Sequence, residues 1–113
     1  QSIADLQCDL AEYLNMNYAE SLKVSIGRDD FSRSAQYCSE LMLINLKIGE
    51  MGGAYRYATD LSTYVRGDVR EGTQELTDQI RFRMEEGMTG IPNELVEKAR
   101  VIDHKVRVGQ SNM

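Results

Sequence analysis

The chain has 113 residues, 18 of them Asp or Glu against 13 Lys or Arg, for a net charge of -5. That is one domain's length, enough for a single core without staples. The acidity argues against a nucleic-acid backbone or an anionic membrane as the main partner. No apolar run approaches the ~20 residues that cross a bilayer, and a 42% hydrophobic, 27% charged composition excludes a disordered chain. The sequence opens on Gln1-Ser2 rather than methionine, which is what removal of a signal peptide, or trimming, leaves.

Taken in order, Ser2-Ile3-Ala4-Asp5 resembles a capping box with Asp in place of Glu. A helix then runs toward Gly27, a good C-terminal residue. At about 100° per residue its apolar positions do not form one line. Ile3, Leu6, Leu10, Tyr13 and Leu14 share a face, while Tyr18, Leu22 and Ile26 lie a third of a turn or more away. Asn15-Met16-Asn17 between them is a poor helix former. The expectation is a break there, giving helices near 3–14 and 17–26.

Asp29 or Asp30 caps the next element. Phe31 to Val65 is the longest apolar-periodic stretch and carries two stripes. One holds Tyr37, Leu41, Ile44, Ile48, Met51, Tyr55, Ala58 and Val65; the other holds Phe31, Ala35, Cys38, Met42, Asn45, Gly49 and Gly52. Two buried stripes mark a central element with neighbours on both sides. One straight helix of this length would reach roughly 50 Å, too long for a domain with a radius of gyration near ~13 Å. Gly52-Gly53 is the cheapest place to break it, since each glycine costs a helix interior ~1 kcal/mol. Helices near 30–51 and 54–66 follow, as one kinked central rod.

Arg66-Gly67-Asp68 reads as a helix exit and a new N-cap. A helix near 73–86 turns Leu76, Ile80 and Met84 inward and closes at Gly87. Ile91-Pro92 opens the last helix, near 93–107, which buries Leu95, Val96, Ala99, Ile102 and Val106. Residues 109–113 are expected to fray. The fold class is therefore all-α, a compact bundle of four to six helices in one domain. Its expected core is Leu10, Leu14, Leu22, Leu41, Ile44, Ile48, Leu76, Ile80, Leu95 and Ile102.

The two cysteines pose a geometric question. If the first helix were unbroken and turned back at 27–30, Cys8 and Cys38 would be offset by about 11 residues, ~16 Å along the axis. A disulfide needs Cα atoms within about 7 Å. A break at 15–17 lifts that objection, so an intrachain Cys8–Cys38 bridge goes with a bent first helix. Two buried free thiols, or a disulfide-linked dimer, are the other readings.

Catalytic and metal constellations are hard to assemble. His104, the sole histidine, has Arg100, Val101, Arg107 and Val108 as its helical neighbours, none a ligand or an orienting acid. There is no Cys-x-x-Cys, His-Glu-x-x-His or Glu-x-x-His pair. Glu85-Glu86, Asp29-Asp30 and Glu71/Glu75 read as caps and solvated faces. Gly49-Glu-Met-Gly-Gly follows no strand and lacks the lysine of a phosphate loop. Arg66-Gly67-Asp68 spells an integrin-recognition tripeptide, already explained as a helix boundary. No metal, cofactor or enzymatic activity is expected.

The candidate partner-binding residues are Tyr57, Asp60 and Tyr64, on one face with Leu61, together with Arg56 and Arg66. Exposed Tyr and Arg are enriched at interface hot spots, although the same face would serve as a second core face. Asp5, Asp9, Glu12 and Glu20 all precede the first cation, Lys23, and could steer a basic partner. The leading expectation is a non-catalytic protein-binding module of the bacterial envelope, periplasmic or secreted, of inhibitor, immunity or adaptor type. A homodimer is compatible with it. The first alternative is a cytosolic helical chaperone or regulator with reduced cysteines. The second is a carrier or enzyme using a pocket between helices.

Overall fold

The computed structural model describes residues 2–111, without the side chains of Ala4, Cys8, Gln110 and Ser111. Five helices follow one another: α1 (Ile3–Gly27), α2 (Phe31–Lys47), α3 (Met51–Tyr64), α4 (Gly67–Glu85) and α5 (Asn93–Ser111). No strand occurs among the described residues. Helices α2, α3, α4 and α5 form a closed ring in which each packs on the next and α5 returns to α2. Helix α1 packs on the outside of α2 alone.

The helix ends follow local chemistry. Ser2 caps α1 by accepting from the Asp5 amide at 3.1 Å, and Asp30 caps α2 by accepting from Arg33 at 3.2 Å. Three helices end in the same double-bonded C-terminal turn. In α2 the Glu50 amide donates to Asn45 and the Gly49 amide to Leu46, with Gly49 left-handed at φ 82°. The α4 end uses Gly87 (φ 65°) in the same way. In α1 the left-handed residue is Asp29 (φ 54°) and Gly27 is merely the last helical residue. Aspartate tolerates that conformation better than most side chains.

Several expected boundaries are corrected. Helix α1 does not break at 15–17. Asn15 and Asn45 pair across the α1–α2 contact, Asn45 Nδ2 donating to Asn15 Oδ1 at 3.0 Å, so a weak local former is held by a tertiary bond. The central stretch is two helices, not a kinked rod, and it turns at residues 48–50 rather than at Gly52-Gly53. Those glycines lie in the first turn of α3. There a Cβ at Gly53 would overlap the Asn45 side chain, so the missing side chain lets α3 cross the end of α2 closely. Helix α4 starts at Gly67, six residues before the expected 73, because Val65 and Arg66 are already extended. Helix α5 carries on to Ser111, so residues 109–111 are helical; residues 112 and 113 lie outside the described residues.

The core is centred on α2. Its small stripe is the deepest: Ala35, Cys38 and Met42 are buried, with Asn45 beside them. Of the other stripe's first four positions Leu41 is fully buried, while Tyr37, Ile44 and Ile48 are half-buried. Ala54, Ala58 and Leu61 of α3, Leu76 and Ile80 of α4, and Leu95, Ala99, Ile102 and Val106 of α5 complete the core. Leu10 is exposed and Leu14 only half-buried, and Met84 faces solvent in the last turn of α4. Small residues dominate wherever helices meet closely, so alanines and Cys38 fill positions that hydrophobicity alone assigns to leucines.

A polar latch holds α5 onto α2. Ser39 Oγ donates to buried Asp103 Oδ1 at 2.7 Å, and Arg107 pairs with Asp103 at 3.1 Å and with Glu40. A second hydroxyl pair, Ser25 and Ser34 at 2.8 Å, ties α1 to the first turn of α2.

Candidate functional site

The candidate residues from the sequence do not form one patch. Tyr57 is half-buried against the core, and the Arg56 guanidinium lies 5.5 Å from its ring centre. Leu61, on the same face, is wholly buried. The face therefore straddles the edge of the core, with tyrosines at its margin and leucine beneath. Asp60 and Tyr64 are half-buried further along α3. Tyr64 and Arg66 face a different neighbourhood from Arg56 and Tyr57.

That neighbourhood is an open cleft of about 450 Å³ where the start of α2, the α3–α4 junction and the end of α5 converge. Phe31 and Tyr64 stack across it with ring centres 6.1 Å apart and planes inclined by 26°. Phe31 opens α2 immediately after the Asp30 cap, which turns its side chain outward; 61% of it is exposed. Val65, Val69 and Val106 continue the apolar wall. Arg66 and Lys105 stand on the rim, both exposed, and no Asp or Glu lines the cleft. Neither cation enters an ion pair among the described residues. Lys105 also borders the neighbouring cleft that Asp68, Glu75, Glu94 and Glu97 line. An aromatic, valine-walled cleft with two cations on its rim can hold an apolar group attached to an anion.

Burial raises the Tyr64 hydroxyl pKa, with Cys38 and Asp60 nearby acting in the same direction and a hydrogen bond with Thr63 opposing them. The ring therefore presents a neutral phenol. Beneath it, burial pushes the Cys38 thiol from 9.0 up to about 12, and Asp60 adds to that. Cys38 is a free, wholly buried thiol, so it carries no thiolate at neutral pH. The Cys8 side chain lies outside the described residues. The bent first helix that a Cys8–Cys38 bridge needed is absent, because α1 runs unbroken.

A second cleft, about 490 Å³, lies at the α1–α2 turn; there Arg33 pairs with Asp30 at 3.2 Å and Arg28 also lines the wall, but Tyr37 is the one aromatic residue in it and no aromatic stack crosses it. His104 is exposed on α5. Among the described residues no group of three or more His, Cys, Asp or Glu could hold a metal ion, and no helix is long and apolar enough to cross a membrane.

Sequence reasoning named Tyr64 and Arg66 but missed Phe31 and Lys105 as their companions. Phe31 fell on a stripe read as core, and Lys105 is one cation among many on an outer helix face. No spacing links positions 31, 64 and 105; only the ring closure of α2, α3 and α5 does. No protein-family model, curated protein or solved structure matches the chain.

Proposed function

We propose that this chain is a non-catalytic protein-binding module whose docking site is the Phe31–Tyr64 cleft. Its partner would present an acidic segment carrying an apolar anchor. The observation that carries the reading is the pairing of an exposed aromatic stack with two cations, Arg66 and Lys105, that have no acid partner. The chain as a whole is acidic, with a net charge of -5, yet no Asp or Glu lines this cleft. The acidic total suggests a basic partner; the cleft itself favours an acidic one, and contact chemistry outranks net charge in choosing a docked segment.

An adaptor role fits this reading most simply. The envelope location and the inhibitor or immunity role draw on the possible Cys8–Cys38 bridge together with the missing start methionine, the acidity and the tyrosine stripe, and an adaptor role needs none of these.

The test is a nitrogen-15 chemical-shift titration with two short peptides that share leucine and phenylalanine anchors, one flanked by Glu and the other by Lys. The acidic peptide should shift amides near Phe31, Tyr64 to Val69 and Lys105. The double variant Arg66→Glu, Lys105→Glu should weaken it at least tenfold, about 1.4 kcal/mol. Equal binding of both peptides, or shifts that leave the cleft unmoved, would overturn the proposal.

A further inference from the structure

We infer that two copies of this chain pair through the N-terminal half of α1, antiparallel, about a two-fold axis at the level of position 8. The pairing is a separate surface from the cleft and does not depend on it.

Helix α1 is longer than the body it packs on. Its 25 residues span about 37 Å, against about 25 Å for the 17 of α2. Asn15 meets Asn45 close to the C-terminal end of α2. Ile3–Leu14 therefore runs about 18 Å past that contact and about 15 Å past the end of α2, and α1 packs on no other helix. On this arm Ile3, Leu6, Leu10 and Tyr13 are 75%, 52%, 59% and 63% exposed. Their spacing of three, four and three is the seam of a coiled coil.

The seam is not a mis-set continuation of the bundle face. Helix α1 uses Asn15, Tyr18, Leu22 and Ser25 against α2. At about 100° per residue those positions lie roughly 120° from the Ile3–Tyr13 stripe. No bending of the arm toward its own body would cover the stripe, so its occupant comes from outside the fold.

A second copy fits it. In the antiparallel register Ile3 of each copy lies opposite Tyr13 of the other, and Leu6 opposite Leu10, so every apolar layer is closed by an apolar partner. The seam turns polar at Asn17 and Glu20, just beyond the point where the arm joins the body. The overlap thus ends where the two bodies begin. A parallel pair would instead set Glu20 against Glu20 in the seam. Asp5 and Glu12 lie off the seam, and the one like-charge approach in the antiparallel register is Asp9 against Asp9 at its exposed flank. Given the sizes and exposures of these side chains, the stripe exposes on the order of 500 Å² per copy, of which a single seam covers part, so a pair closes less than about 1,000 Å², in the range of weak, transient interfaces. A weak dimer, with a dissociation constant of tens of micromolar or above, is the expected result.

Sedimentation equilibrium of the full chain from about 5 to 500 µM should show the average mass rising with concentration from near the monomer toward the dimer. Leu10→Glu, at a position already exposed to solvent, should keep the helical spectrum and remain monomeric throughout. Spin labels on Ser2→Cys, with Cys8→Ser, should lie about 20 Å apart in the dimer; a parallel pair would bring them within about 12 Å. A monomer at every concentration, a dimer indifferent to Leu10→Glu, or labels within 12 Å would each overturn the pairing.

Discussion

Helix α2 and the first half of α1 carry the same kind of apolar periodicity and meet opposite fates. On α2, Ala35, Cys38, Leu41 and Met42 are 2% exposed or less; on α1, Ile3, Leu6, Leu10 and Tyr13 are more than half exposed. The difference lies in what surrounds each helix. The α2 helix has α1, α3 and α5 around it, whereas α1 packs on α2 alone and its Ile3–Tyr13 stripe is left exposed. Periodicity reports that a face is built to be covered, and says nothing about which molecule covers it.

The largest expected effect tests how dry the ring is at its centre. Cys38 is neutral and buried, with its pKa raised from 9.0 to about 12. The unfolded chain gives up this proton near pH 9 while the folded chain still holds it. The contribution is therefore fully present below pH 9 and is lost as pH rises toward 12, worth on the order of 4 kcal/mol over the whole window. Urea midpoints measured between pH 8 and 11 should fall more steeply for the native chain than for Cys38→Ala. Tyr64 is also raised, in part by Cys38 itself, so the comparison is made with Tyr64→Phe in both proteins, which removes that titration from the difference.

The next effect contrasts ring and arm directly. Leu61→Ala, at a position with no exposure, should cost about 3 kcal/mol in chemical denaturation. Leu10→Ala in the arm should cost less than about 0.5 kcal/mol in dilute solution. Comparable losses would mean that the arm is packed in the monomer. A smaller effect is expected at the α2–α5 latch. Asp103→Ala strands the buried Ser39 hydroxyl and takes one carboxylate partner from Arg107, and should cost about 2 kcal/mol; Asp103→Asn should recover part of it.

Much of the fold was legible in the sequence because its signals are local. Ser2 and Asp30 as caps, Gly87 at a helix end, and Pro92 before α5 each act within a few residues. What was illegible depended on contacts between distant segments. Asn15-Met16-Asn17 reads as a break until Asn45 is set against Asn15. Gly52-Gly53 reads as a kink until Asn45 is seen to need the space above Gly53. Leu10 reads as core because it is apolar and in phase, yet no helix reaches it. The cleft was half legible: Tyr64 and Arg66 attracted notice as interface types, but the cations and aromatics that complete it come from helices 30 or more positions away.

Native-state hydrogen exchange on the full chain tests the contrast between ring and arm most directly. Amides of α2 to α5 should exchange only through global unfolding, at a rate independent of protein concentration. Amides of Ile3–Leu14 should exchange far faster at about 5 µM and become protected as concentration approaches about 500 µM. Arm amides as slow as those of α2 at the lowest concentration, and unchanged on concentrating, would contradict a self-sufficient ring carrying an arm that is completed by a second copy.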